Sequence, residues 1–275
     1  MADGWIRTEV RDGAMILTLA RPDKLNALTW DTLDSILAAF RAAEQDPAVR
    51  AIIVRGEGRA FCTGFDLNAA AGDGVGMAGT PHDDTQSFQR AAGYWRRVMQ
   101  TRKPVIAAVH GYCLAAGLEF VMHADFAIAA DDAQFGYPAV RGSGLPDTQM
   151  FVYHIGPQWT RRLLLTGDSI DAATAERIGL VLKTVPGDAL DDEAMALARA
   201  VGKVPGPIAE SVKNVVNQAI ELMGYSALQR ENWNQSAMAR AAPEVAEFDR
   251  MAREQGLKAA LAWRDRKGAS GEESR

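Results

Sequence analysis

The chain is poor in the residues that build several common kinds of site. It carries only 2 cysteines in 275 residues, Cys62 and Cys113, too few and too scattered for a disulfide framework or a zinc site. Neither has a basic neighbour in sequence that would lower its pKa, so both are expected to be reduced packing residues. Its 4 histidines, His82, His110, His123 and His154, show no metal-ligand spacing, and no metal is expected. There is no run of lysine or arginine and the net charge is −5, which argues against a nucleic-acid partner. No apolar stretch is long enough to span a bilayer, and Met1-Ala2-Asp3-Gly4 opens no apolar signal region. The expectation is a cytoplasmic protein that engages neither membrane nor nucleic acid.

What is present is the alternation of an α/β protein. The length suits one large α/β domain, or one with a helical appendage, and is ample for a core. Trp5 to Val10 and Ala14 to Ala20 alternate around Asp12-Gly13 and predict a hairpin. Thr29 to Ala43 predicts a helix, with Leu33, Ile36, Leu37 and Phe40 at core spacing. Ala69 to Thr85 is polar and glycine-rich and predicts a loop; Phe88 to Thr101 predicts a helix. After Phe126-Ala127-Ile128, a further strand, the chain turns helix-rich. Ala189–Gly202, Pro207–Met223, Tyr225–Arg240 and Val245–Arg264 carry helical spacing, and Gly268–Arg275 reads as a disordered tail. The division expected is a core over 1–202 and a helical region over 203–275.

Two segments carry chemistry. In Lys103 to Glu119, the run Val105 to Val109 is continuously apolar, as in a strand covered on both faces. Gly111 turns the chain, and Ala115-Ala116-Gly117 lets backbone and ligand approach closely. The next helix has free N–H groups and a positive dipole end at its start, suited to a developing oxyanion, with Glu119 in the first turn. Glu119 at that place also complements the dipole. In Arg50 to Leu67, a buried strand Ala51 to Val54 leads to glycine turns around Phe61-Cys62 and to a backbone N–H at Phe65, with Asp66 placed to cap the next segment. Two such loops supply two N–H donors. A single missing donor of this kind costs roughly 3–4 kcal/mol of transition-state stabilisation. By contrast, the literal GxGxxG at Gly74–Gly79 comes after no strand and opens no helix, so it is not read as a dinucleotide site. Asn234-Gln235-Ser236 is a glycosylation sequon by letters only, and His110 reads as a structural histidine.

The chain resembles the crotonase superfamily, the enoyl-CoA hydratase/isomerase family. Arg21 to Leu28 is similar to its RPxxxNAL start, Phe61 to Leu67 to its FcaGaDl loop, and Lys103 to Glu119 to its KPviAavnGxalGgGlEl segment. Thr166-Gly167-Asp168, Ala172 to Val181 and Pro186 resemble its ltG…A..A...GlV..vvp segment. The motifs run in family order from about residue 14 to 186, and several in order are far more specific than one. The resemblance implies a crotonase-like spiral of β-β-α units with a C-terminal helical trimerisation region. It implies an acyl-CoA thioester substrate, no separate cofactor, and a homotrimer or hexamer. The activity it implies first is enoyl-CoA hydration. Double-bond isomerisation, ring-opening hydrolysis and acyl-CoA binding without catalysis are the alternatives.

Residue by residue, the resemblance implies that the N–H groups of Phe65 and Ala116 form the oxyanion hole; the second position is usually glycine in the family. Glu119 matches one of the two catalytic glutamates of the hydratases. The other should come after Ala133-Gln134-Phe135-Gly136-Tyr137-Pro138, where this chain has Ala139, which can neither give nor take a proton. Asp147, in Gly144-Leu145-Pro146-Asp147-Thr148-Gln149, matches the catalytic aspartate of dienoyl-CoA isomerases and chlorobenzoyl-CoA dehalogenases. It is equally suited to capping the next helix. The helix from Phe88 lacks the histidine of the dehalogenase branch. Lys24, Leu25 and Ala27 match positions along the adenine and pantetheine path, with Asp66 and Leu67 flanking the same groove. Arg264 or Lys267 would reach a neighbour's 3′-phosphate.

Overall fold

The computed structural model describes residues 4–66, 81–142 and 144–269. Leu67, the GxGxxG letters of residues 74–79, most of the expected loop over 69–85, and residues 270–275 of the expected tail lie outside the described residues.

The strands form two sheets. Six strands stand in the order β1 (Ile6–Arg11), β2 (Ala14–Leu19), β3 (Ala51–Gly56), β5 (Val105–Val109), β7 (Phe126–Ala130) and β10 (Lys183–Val185). β1 and β2 are the antiparallel hairpin turned at Asp12-Gly13; the other pairings are parallel. The second sheet orders β4 (Ala60–Cys62), β6 (Tyr112–Leu114), β8 (Gln134–Gly136) and β9 (Ser169–Asp171). Its pairings are parallel except for β8 with β9. Successive passes therefore place one strand in the large sheet, the next in the small sheet, and then a helix. β3-β4 precedes α2 (Pro81–Gln100), β5-β6 precedes α3 (Ala116–His123), and β7-β8 precedes α4 (Phe151–Thr166). This is the β-β-α spiral.

Strand periodicity explains why the runs of the large sheet are continuously apolar. Alternate residues Ala14, Ile16, Ile53, Ile106, Ala108 and Ile128 face α6 (Leu190–Gly202), which covers that side with Leu190, Ala194, Met195 and Ala198. The intervening residues Met15, Leu17, Ile52, Val54, Val105 and Ala107 belong to the main core with α1 (Trp30–Gln45), whose Leu33, Ile36 and Phe40 are buried. Each such side chain contributes about 1.5–3 kcal/mol on burial. Thr29 caps α1 by accepting the Thr32 N–H at 3.2 Å.

α5 (Ala172–Arg177) joins β9 to β10. Beyond α6 the described chain is helical: α7 (Gly206–Leu222), α8 (Tyr225–Arg240), α9 (Pro243–Gln255) and α10 (Leu257–Ala269). Two expectations are corrected. α2 begins at Pro81 rather than Phe88: proline opens a helix without needing an N–H partner, and Asp83 and Asp84 complement the dipole in the first turn. Val245–Arg264 is two helices, because Gly256 stands at φ +85° between α9 and α10. Among the described residues no helix is long and apolar enough to cross a membrane.

Candidate active site

The expected donor loops meet. Leu28 N–H donates to Gly64 O at 2.8 Å and Asp66 N–H to Leu28 O at 2.8 Å, which fixes the loop around Phe65 without using the Phe65 N–H. A Cβ on Gly64, at φ +106°, would lie 2.9 Å from the Ala115 Cβ and 3.4 Å from Ala116 N. The loop before Phe65 thus lies directly against the start of α3. Gly117 lies equally close to β4, since a Cβ there would meet Cys62 O at 2.4 Å. Ala116 is the first residue of α3, where an N–H has no acceptor within the helix. Among the described residues neither the Phe65 N–H nor the Ala116 N–H has a hydrogen-bond partner. Ala115 takes φ +47°, ψ −119°, a strained backbone for a residue with a Cβ, of order 1–3 kcal/mol. Its N–H to Gly136 O, 3.0 Å, and its carbonyl to Glu119 N–H, 3.0 Å, hold it there.

Glu119 and Asp147 are brought together inside the protein. Glu119 is fully buried, and Thr148 holds it with its N–H on Oε1 at 3.1 Å and its hydroxyl on Oε2. Asp147 therefore adjoins the residue that grips Glu119. Asp147 is 4% exposed and accepts from the Trp95 indole N–H at 3.0 Å. Trp95 in turn stands 6.2 Å, centroid to centroid, from Phe65, so one buried ring spans from the donor loop to the acid pair. Burial, and then the neighbouring Asp147 charge, hold the Glu119 carboxyl well above the usual range. Burial pushes Asp147 up to about 7, against the pull of the Trp95 bond.

The capping reading of Asp147 is corrected. α4 starts at Phe151, with Met150 at its N-cap and no side-chain cap. The Asp147 loop is instead supported by α8: Asn232 donates to Pro146 O at 2.8 Å and the Trp233 indole to Asp147 O at 3.2 Å. The helices after residue 202 thus buttress the site of their own chain.

Lys24, Leu25 and Ala27 lie beside the Phe65 loop, on the turn of Pro22–Lys24 and the residues after it. Their carbonyls each accept a protein bond, from Ala27 N–H, Thr63 N–H and Arg21 Nη1 at 3.0, 3.2 and 2.7 Å. Lys24 is exposed, and Leu25 takes φ +50°. Asp66 pairs with Arg21 at 2.8 Å, and Asn26, buried, pins the turn through Glu57 O and Ala60 O at 2.9 and 2.7 Å. Arg264 pairs with Asp265 of its own chain at 2.9 Å; the Lys267 side chain lies outside the described residues.

Sequence reasoning did not find Trp95, Thr148 or Trp233. A tryptophan or threonine carries no local pattern that marks it as the partner of a carboxylate. His110 donates from Nε2 to Gly58 O at 2.9 Å, a structural role. Because α2 starts early it does contain a histidine, but His82 is exposed and bonded to Gln86 at 2.8 Å. His123 is buried between Glu119 O, 2.7 Å, and Tyr225 Oη, 3.1 Å, and burial lowers it to about 4, so it is neutral. Cys62 and Cys113 are buried free thiols, and burial raises both.

Comparison with known proteins places this arrangement. A model of the enoyl-CoA hydratase/isomerase family matches residues 9–247. The chain belongs to the enoyl-CoA hydratase/isomerase family. "Probable enoyl-CoA hydratase echA8" of Mycobacterium bovis is 37% identical over 209 residues, 75% of this chain and 78% of that protein. The mitochondrial enoyl-CoA hydratase of Pongo abelii is 34% identical over 210 residues, 75% and 70% of the two chains. The crystal structure of an enoyl-CoA hydratase/isomerase from Xanthobacter autotrophicus Py2 superimposes with a TM-score of 0.88 at 33% identity, over 96% of this chain and 98% of that one. The fold of this enoyl-CoA hydratase/isomerase family member is the crotonase spiral. Ala139 is the second residue of a 3-10 turn that Pro138 opens and carries no acid, and among the described residues the buried carboxyls held by Thr148 and Trp95 are Glu119 and Asp147.

Proposed function

We propose that the protein is an enoyl-CoA hydratase that adds water to a 2-enoyl-CoA thioester. The observation that carries this reading is the meeting of two unpartnered N–H groups, Phe65 and Ala116, with a buried carboxylate pair, Glu119 and Asp147. In this reading the thioester oxygen lies between the two N–H groups, and they take up the negative charge as the enolate forms. Two buried carboxyls so close do not both ionise at neutral pH. One acts as base toward water and the other gives a proton to the α-carbon. CoA enters as part of the substrate and no further cofactor is required. Lys24, Leu25, Ala27 and Asp66 flank the CoA path.

Isomerisation of an enoyl- or dienoyl-CoA is the second reading. Ala139 favours it, because proton transfer between carbons needs no water and can run on Glu119 and Asp147 alone. For assembly, the reading is a homotrimer or hexamer working in the cytoplasm. Its support is the apolar stripe on α7, where Ile208, Val212, Val215 and Val216 are each more than half exposed, at 54, 58, 70 and 53%.

A panel of 2-enoyl-, 3-enoyl-, dienoyl- and cyclic keto-acyl-CoAs, followed by mass and ultraviolet absorbance, tests the function. Gain of one water on the 2-enoyl substrate is expected. Unchanged mass with shifted absorbance would replace hydration by isomerisation, and gain of water with a new carboxylate by ring opening. Binding without turnover would overturn the enzyme reading. Glu119→Gln should lower kcat by at least about 100-fold while CoA binding is kept.

A further inference from the structure

Tyr137 is a buried polar group that the proposed machinery does not use. It comes directly after β8, and Gly136, the residue before it, accepts the Ala115 N–H at 3.0 Å. The tyrosine is thereby fixed across from the loop that carries the Ala116 N–H. Pro138 comes next and opens the 3-10 turn that holds Ala139. The ring is 4% exposed and packs edge-on against Phe151, with centroids 5.8 Å apart at 83°.

The Tyr137 hydroxyl has no protein hydrogen-bond partner among the described residues, yet its oxygen is not among the buried polar atoms sealed from solvent, so a water can reach it. Burial, then the charges of Glu119 and Asp147, hold it well above the ordinary tyrosine range, so it stays a neutral phenol facing both carboxylates electrically. Such a hydroxyl can hold a water molecule by donating to it or accepting from it.

Resting on the hydratase reading, we infer that Tyr137 is a catalytic residue whose hydroxyl hydrogen-bonds the water that adds to the acyl double bond, at the place left without a carboxyl by Ala139. In the step, the water oxygen bonds to the β-carbon and its proton passes to the ionised carboxyl of the Glu119/Asp147 pair. The π electrons move through the enolate held by Phe65 and Ala116. The α-carbon takes a proton from the other, protonated carboxyl. The pair begins and ends with one proton, and Tyr137 keeps its own throughout.

Tyr137→Phe removes only the hydroxyl oxygen. The expected result is a fall in kcat of about 10- to 100-fold, with KM and melting temperature nearly unchanged. Unchanged kcat would overturn the inference. A binding measurement separates this from failure of the hydratase reading. The β-hydroxyl of a 3-hydroxyacyl-CoA occupies the position of the added water. Wild type should therefore prefer it to the saturated acyl-CoA of the same length, and Tyr137→Phe should lose about tenfold of that preference. Equal preference in the two proteins would overturn the role of Tyr137 whether or not the wild type turns over any substrate. Loss of preference in a protein that hydrates nothing would retain the contact and discard the reaction.

Discussion

The Trp95 indole N–H donates to the Asp147 carboxylate at 3.0 Å, and neither residue is open to solvent. A hydrogen bond to a carboxylate favours its charged form, so this bond opposes the effect of burial on Asp147. Trp95→Phe removes the donor and keeps a ring between Phe65 and Asp147. Asp147 should then titrate higher than about 7, and the acidic limb of the kcat profile should move to higher pH. At pH 7 the rate should fall by about tenfold. A profile that does not move would dissociate Asp147 from the rate-limiting proton transfer.

Asp147 should also make the free protein less stable as pH rises. Its folded pKa of about 7 lies above the ordinary aspartate value, so between about 4 and 7 the native state binds more protons than the unfolded one. The contribution is complete below the unfolded pKa and is lost as pH rises through the folded one. Asp147→Asn does not titrate. Its unfolding free energy relative to wild type should climb between pH 5 and 8 by on the order of a few kcal/mol, and its relative melting temperature should rise with it. Scanning calorimetry at several pH values reads this directly, and a flat difference would count against a raised Asp147.

Gly64 and Ala115 should be coupled. Gly64→Ala places a Cβ 2.9 Å from the Ala115 Cβ at a backbone of φ +106°, and should destabilise by about 2–4 kcal/mol while separating the two donor N–H groups. Ala115→Gly relieves a non-glycine residue at φ +47° and should be neutral to stabilising by about 1 kcal/mol. The double variant should recover part of the loss, because the side-chain collision is gone while the strain at residue 64 remains. Denaturant unfolding and kcat across the four proteins measure the cycle. Simple additivity would refute the contact.

The α7 stripe gives a prediction for assembly. Val212→Glu with Val216→Glu puts charge on residues 58% and 53% exposed, with little consequence for the fold of one chain. Sedimentation should show wild type as a trimer or hexamer and the variant as smaller species. A monomeric wild type, or a variant of unchanged mass, would argue against this face as the contact.

Much of this molecule was legible in its sequence for physical reasons. Strands covered on both faces must be apolar throughout, so the runs at 51–54 and 105–109 announced themselves. Places where backbones approach closely showed as Gly64 and Gly117, and the first turn of a helix carries free N–H groups whatever its sequence. The limits of the sequence were equally physical. It suggested that Asp147 could cap a helix, since aspartate serves there or in a site. It ended a loop at Thr85, where proline and two acids in fact start α2. It ran one helix through Gly256, because periodicity survives a single-residue break.

The sequence by itself determined the layered α/β construction and the two donor loops, because these arise from local periodicity and backbone requirements. Only the tertiary structure decided what surrounds the acids. It set Asp147 against Trp95 from α2 and Trp233 from α8, and it gave Glu119 to Thr148. Such partners are 52, 86 and 29 positions apart in the chain. Burial and pairing across that distance set the charge of a carboxyl, and no local pattern encodes them.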